Sequence, residues 1–401
     1  MLRLALCSLR NRWTTASLVV ATIAVSVALL LTVQRVRHSA RDSFESALAG
    51  ADLLVGARTG EVNLLLLAVF RIGDATANVS WDSYRRIDSH PDVAWTVPIS
   101  LGDTHRGFRV LGTSAAYFMH FRHGDGRTLR FEAGGPFRAA GEAVVGAEVA
   151  QSLGYHTGDA ITLAHGTGGV SFLQHEAHPQ RIVGVLARTG TPVDRTIHVD
   201  LDAITALHVA GAAPRTTPES ITAFLIGMRS KALTLTMQRA INAYRAEPLT
   251  AIIPAVTLGT LWRLVGMADR VLLIVSGFVV GAGLLGMMTV ILAGLNERRR
   301  EMALLRAIGA RPREIFGLLV AEAGLLAGTG VLLGAALGMG ALAVARPMIT
   351  ARFGVDIALH APASAELRML AAIVIAGLAT GLVPAARAYF TSLGDGLQPR
   401  T

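Results

Sequence analysis

Lysine is almost missing: of 37 lysines and arginines, Lys231 is the single lysine. A phosphate-binding P-loop needs Gly-x-x-x-x-Gly-Lys-Ser/Thr, with the lysine reaching the β- and γ-phosphates. Lys231 sits in Arg-Ser-Lys-Ala-Leu, outside any such frame. No ATPase site is therefore expected in these residues, and ATP-driven work has to come from another polypeptide. Cysteine is equally scarce. Cys7 is the only one, which excludes an intrachain disulfide and leaves no thiolate metal set. No Gly-x-Ser-x-Gly elbow supplies a nucleophile either, so an enzyme reading has little to stand on. Charge is low as well, at 16% of residues against 52% hydrophobic, and mean hydropathy is +0.49. That balance places the chain in the membrane class.

The net charge of +9 invites a nucleic-acid reading. The arginines, however, gather at the ends of apolar runs, the pattern of orientation against a bilayer. Nucleic acid is not expected as a partner; membrane lipid is. Four apolar runs carry the argument. Residues 13–33 hold no charge and extend about 31 Å as a helix, enough for one crossing. Gln34-Arg35-Val36-Arg37 follows without a small-x-small cleavage site, so the run is read as a retained anchor rather than a signal peptide. Further spans are predicted at 269–295, 317–345 and 367–386. The connector at 296–316 holds six arginines and the short loop at 346–366 only two, which sets 296–316 inside. Residues 1–12 and the tail 387–401 are then cytoplasmic, and 34–268 lies outside.

The external stretch has the texture of an aqueous α+β domain. Strands are predicted at 95–100, 107–112, 143–146, 161–165, 181–186, 196–200, 221–228 and 249–255, with helices at 147–153 and 231–245. Residues 35–49 read as a polar helical extension of the first span. The apolar patch 63–70 is too short to span; it is read as a core helix, a surface touching lipid or cargo being the alternative.

The connector is the most informative stretch. Residues 302–310 read as a short amphipathic helix with Leu304, Leu305 and Ile308 on one face, Gly309 at its end and Pro312 opening the next helix. Exposed apolar residues at such a turn need a cover. The run Arg299-Arg300-Glu301-Met302-Ala303-Leu304-Leu305-Arg306-Ala307-Ile308-Gly309-Ala310 resembles the "R-x-E-I-x-x-L-R-A-L-G-A" element of the ABC-transporter permeases of the MacB/FtsX/LolC type. Glu322-Ala323 is similar to a family feature of the third helix. Gly146-Ala147-Glu148-Val149-Ala150, with Leu153-Gly154-Tyr155-His156-Thr157-Gly158-Asp159, resembles the family's "A-x-x-L-G-x-x-x-G-D" element.

The resemblance covers essentially the whole chain. It implies a polytopic α-helical membrane protein of four transmembrane helices, with a large α+β extracytoplasmic domain between spans 1 and 2, split from its ATPase. It implies two copies of an ABC ATPase subunit that bind ATP and Mg, and a second permease copy or paralogue. A periplasmic adaptor or outer-membrane partner fits where a cargo is exported. Localisation in a bacterial inner membrane follows. Glu301, Met302, Leu304, Leu305, Arg306, Ile308 and Gly309 are the expected ATPase-coupling residues, against the plainer reading of a helix lying on the inner leaflet.

Glu322, at the start of the third span, is a candidate for coupling within the bilayer. The histidines all fall on the external side; His165, His175 and His178 flank a glycine-rich loop and are candidate metal ligands. Ordinary surface histidines are the alternative, and His175-Glu176-Ala177-His178 lacks the His-Glu-x-x-His spacing. No catalytic residue, cofactor or established metal site is expected in this chain. The function expected is a permease that couples ATP hydrolysis elsewhere to export of a periplasmic cargo or to lipoprotein or hydrophobic-ligand handling. The alternative is an FtsX-like signalling subunit that activates an envelope hydrolase.

Overall fold

In the computed structural model, residues 13–46, 50–124, 126–165, 179–208, 218–297, 309–353 and 362–390 are described. Ten α-helices are considered below: α1 (Trp13–Ser46), α2 (Glu61–Ala68), α3 (Trp81–Asp88), α4 (Ala116–His120), α5 (Ala147–Leu153), α6 (Leu201–His208), α7 (Thr234–Asn242), α8 (Pro254–Glu297), α9 (Pro312–Phe353) and α10 (Ser364–Phe390). The chain divides into two units. One is helical, up to His38 with Gly266–Met348 and the chain from Ile357; the other is α/β, Ser39–Val265 with Ile349–Asp356.

Nine strands form the backbone of the α/β unit: β1 (Leu53–Ala57), β2 (Val93–His105), β3 (Phe108–Thr113), β4 (Phe131–Gly134), β5 (Glu142–Val145), β6 (Gln180–Leu186), β7 (Thr196–Asp200), β8 (Ala223–Met228) and β9 (Leu249–Ile252). They order as β9-β1-β8-β2-β3-β7-β5-β6-β4, with two short strands added at the sides. Pairing is antiparallel except for β3 with β7 and β5 with β6. The sheet is covered on both faces, which is why its strands read as near-continuous apolar runs. On β1, Leu54 enters one core with Leu65, Leu111 and Tyr117, while Leu53 and Val55 enter another with Phe224 and Ile241. A third core gathers Val110, Val145, Val149, Ile182 and Ile197.

The patch 63–70 is part of this packing. Leu64, Leu65 and Ala68 of α2 and the following Phe70 are buried in the first core. Some elements are shorter than the sequence suggests. Strand 221–228 is interrupted at Thr222, which turns its side chain onto the Leu101 backbone. Strand β9 stops at Ile252, because Pro254 lacks an N–H and suits the first position of a helix. The helix expected at 231–245 has a 3₁₀ turn at Lys231–Leu233 and ends at Asn242.

Among the described residues, four helices are long and apolar enough to cross a membrane, over Trp13–Ser39, Arg270–Leu295, Pro312–Ile349 and Ser364–Tyr389. The helices themselves run on: α8 has 44 residues and α9 has 42. Residues 346–353, read from sequence as loop, continue α9 through Pro347. An arginine marks where lipid ends, but a helix keeps its own hydrogen bonds in water, and one proline removes only one of them.

Within the helical unit, small residues set the contacts. A Cβ on Gly330 would lie 2.7 Å from Ile23, on Gly334 2.6 Å from the Ala24 carbonyl, and on Gly338 3.2 Å from the Ala28 carbonyl. That stripe, spaced every four residues on α9, seats it against α1. Gly377 and Gly381 of α10 pack in the same way on Ala327 and Ala323 of α9.

Candidate functional site

The coupling residues predicted at Glu301, Met302, Leu304, Leu305, Arg306 and Ile308 lie outside the described residues, as do His175 and His178. What is described is how the connector is held at its two ends. On the upstream side, Met287, Ile291 and Leu295 of α8 are buried in the helical core. Downstream, Gly309 takes φ 106°, the left-handed conformation that glycine adopts without a Cβ penalty. Arg311 N–H then donates to Glu314 Oε2 at 2.9 Å, and Pro312 opens α9 where no N–H is needed. Ile315 and Leu319, one turn on, are 3% exposed and join the same core. The connector thus leaves from and returns to packed helix rather than loose chain.

Glu322 is 7% exposed and is not without a partner. It stands beside Ala323, the residue on which Gly381 of α10 closes. A carboxylate there is fixed at a helix–helix seam.

An ion pair within the helical unit is not apparent from sequence. Arg35 Nε and Nη2 donate to Glu366 Oε1 and Oε2 at 3.0 and 2.8 Å, with side-chain exposures of 9% and 13%. Glu366 lies in the first turn of α10 and Arg35 in α1, so the fork clamps the first membrane helix to the last. From sequence these were a span-end arginine and a loop glutamate 331 positions apart.

In the α/β unit, the Leu153–Asp159 motif is a structural corner. Gly154 caps α5 at φ 69° and Gly158 turns at φ 105°. Asp159 Oδ2 accepts from His156 N–H, and the Gly158 N–H donates to the Ile182 carbonyl of β6. Glu148 accepts from Arg195 Nη1 at 3.1 Å, and burial raises its pKa against the pull of that arginine. A Cβ on Gly146 would meet the Val193 and Asp194 carbonyls within 2.4 Å, which only glycine permits. The motif locks helix to sheet and presents no open chemistry. For the metal reading, His165 belongs to a short strand pairing with Asp103. Among the described residues no three His, Cys, Asp or Glu side chains converge on an ion-sized site.

The helix that leads to the connector also begins at the sheet. β9 ends at Ile252, and α8 starts at Pro254 and continues unbroken to Glu297. At 1.5 Å per residue this is about 66 Å of helix, with no proline after its first residue.

The chain matches two family models: the MacB-like periplasmic core domain over residues 15–244, more than half of its 401 residues, and the FtsX-like permease C-terminal over 273–393. Among solved structures it is similar to the periplasmic region of MacB from Actinobacillus actinomycetemcomitans. That likeness has 9% identity and a TM-score of 0.36, over 52% of this chain and 91% of that one. The extracellular domain of the noncanonic ABC-type transporter YknZ from Gram-positive bacteria gives 12% identity and a TM-score of 0.32, over 50% and 99%. No curated protein matches the chain. The chain belongs to the MacB/FtsX type of ABC-transporter permeases, multi-pass membrane subunits with a large extracytoplasmic α/β domain between the first and second spans.

Proposed function

We propose that this permease works by mechanotransmission in a bacterial inner membrane, with both termini cytoplasmic. ATP and Mg bind on a pair of partner ATPase subunits, and their closure pushes the connector helix at 302–310. Met302, Leu304, Leu305 and Ile308 fill a groove on the ATPase, while Glu301 and Arg306 pair at its rim. The movement travels along α8 to the sheet, and the external domain changes shape to move or hand off an apolar cargo such as a lipoprotein or hydrophobic peptide. A second permease copy or paralogue completes the assembly.

The observation that carries this reading is α8: a single helix of 44 residues joins the connector to strand β9. An unbroken helix transmits displacement, where a loop would absorb it. The Arg35–Glu366 fork ties α1 to α10, and Glu322 is proposed to couple within the third span.

The test is Leu305→Asp. Burying an unpaired carboxylate at the docking groove should cut permease-stimulated ATP hydrolysis about tenfold or more, with membrane insertion retained. Undiminished stimulation would remove the connector from the coupling path. Crosslinking from native membranes separates the export reading, which expects a cargo or adaptor, from hydrolase activation, which expects a captured envelope hydrolase.

A further inference from the structure

Helix α8 changes company along its length. Leu258 is buried in the first core of the α/β unit, and Leu261 and Trp262 pack against that core. The core of the helical unit is met at Leu273 and takes in Leu284 and Met287 further on. Among the described residues, no side chain of 263–272 belongs to either core. Arg263 and Arg270 are exposed there, as are Met267 at 64% and Val271 at 56%. Roughly three turns of helix therefore rest on their own backbone hydrogen bonds, the condition under which a segment opens or bends most easily. The stretch apolar enough to cross a membrane begins only at Arg270, which leaves 263–269 on its aqueous flank.

Gly266 stands inside this stretch. A Cβ there would meet nothing within 4 Å, so close packing does not call for glycine, in contrast to Gly330 and Gly334. Its effect is on the helix itself, because only proline is a poorer helix former. Its carbonyl is also shared. Arg270 Nε donates to the Gly266 carbonyl at 3.3 Å, the same oxygen that the Arg270 N–H reaches in an α-helical ladder. A side chain inserted into that ladder is one of the few causes of a helix bend. The other open glycines of α8 differ. Gly259 is open too, but it lies next to Leu258 and within a turn of Trp262, where the first core holds the helix. Gly277, Gly281 and Gly286 lie in the apolar span, where an opened hydrogen bond finds no water to replace it.

We propose that α8 is jointed at Gly266: the helix bends there, between its two packed ends, without breaking. A bend redirects a push along the helix and does not absorb it, so a jointed α8 still transmits. The joint is a property of the helix and holds whatever drives it.

The test places nitroxide labels on the full-length protein in phosphatidylcholine nanodiscs, with no ATPase present. A Cys7→Ala background removes the single native thiol. The first pair, Val256→Cys with Ile274→Cys, spans Gly266 at two exposed positions. They are five full turns apart, about 27 Å along one face of a straight helix. The second pair, Val271→Cys with Thr289→Cys, has the same spacing on exposed positions within the apolar span. Double electron–electron resonance should give a distance distribution about twice as wide for the first pair, because a bend of about 20° or more swings labels on one face by several ångströms. Gly266→Ala should narrow the first pair to the width of the second, and Gly259→Ala should leave it wide. Equal widths for the two pairs, an unchanged width in Gly266→Ala, or the same narrowing in Gly259→Ala would overturn the joint. Alanine meets no atom at either glycine and favours helix, so neither variant endangers the fold. The comparison between pairs needs neither variant.

Discussion

The α/β unit and the helical unit are built on different terms. In the first, large side chains such as Tyr117, Phe137 and Phe224 are fully enclosed, and helices cover both faces of the sheet. In the second, large apolar residues point outward: Phe278 is 75% exposed, Leu332 72% and Val344 81%. Its seams are glycines and alanines. In water, burying a large side chain is the main driving term. Against lipid tails that term vanishes, and close backbone approach with a few polar ties takes its place. Both units therefore depend on glycine, but for different reasons: turns and corners in one, contact between helices in the other.

The sharpest break of this comparison is Gly334→Leu. The new side chain would start 2.6 Å from the Ala24 carbonyl and 2.7 Å from Val27 Cβ, where helix backbone cannot yield. The expected outcome is separation of α1 from α9 and loss of the monodisperse peak on size-exclusion chromatography in mild detergent. Leu332→Ala, only two positions away on an exposed face, should shift thermal stability by about 0.5 kcal/mol or less. If the two variants behave alike, the small-residue stripe does not hold the bundle.

Polar ties rank next. Arg35→Ala leaves Glu366 with an uncompensated charge in a site both partners had sealed, and should cost about 3 kcal/mol. The external pair Arg195–Glu148 meets at 3.1 Å with Arg195 28% exposed, so Arg195→Ala should cost about 1 kcal/mol. Equilibrium unfolding in mixed micelles reads both, and a double variant Arg35→Ala/Glu366→Ala should recover part of the first loss.

Acid separates the units further. Burial depresses the His198 pKa to about 3, with Arg71 adding to the effect, so folding favours the neutral ring. That contribution is complete above the ordinary histidine value and is lost as pH falls from about 6.5 towards 3. Glu148, Asp194 and Asp200 are shifted upward by burial and have the opposite sign: their contribution is present below their unfolded values near 4 and is lost as pH rises through the raised ones. The upper part of the acid limb, between about pH 6.5 and 5, should therefore belong to His198 together with His105, His120 and His123, whose pKa values burial also lowers. His198→Phe, in a site walled by Tyr117 and Phe118, should flatten part of it in a plot of melting temperature against pH. An unchanged slope would place the acid sensitivity elsewhere.

The same contrast explains what could be read from sequence. The strand Thr196–Asp200 and the helix Ala147–Leu153 stand where alternation and flanking glycines put them, because these signals are local. The apolar runs are equally plain. Helix ends are less so: α9 continues to Phe353 where a loop is read, since charge reports the edge of lipid and not the end of hydrogen bonding, whereas the polar extension of α1 read at 35–49 is helical as far as Ser46. Pairings across the fold leave no local trace. Arg35 with Glu366, and Arg71 with Tyr117, are joined only by packing, and an arginine after four leucines and a phenylalanine gives no hint that it will turn inward. The connector residues from Glu301 to Ile308 rest on sequence pattern and family membership alone.

The smallest effect tests where the contrast should disappear. Helix caps stand in water in both units, so one rule should govern them. At the start of α9, Glu314 accepts the Arg311 N–H at 2.9 Å and places a negative charge in the first turn. At the start of α3, Ser80 Oγ accepts from Ser83 N–H at 3.3 Å, and Glu247 in turn accepts from Ser80. Glu314→Ala and Ser80→Ala should each cost about 1 kcal/mol, and Glu314→Gln, which keeps the acceptor, less than half of that. A loss of more than about 2 kcal/mol in Glu314→Ala exceeds any ordinary cap. The first turn of α9 would then be bearing load from the connector itself, as the push along 302–310 requires.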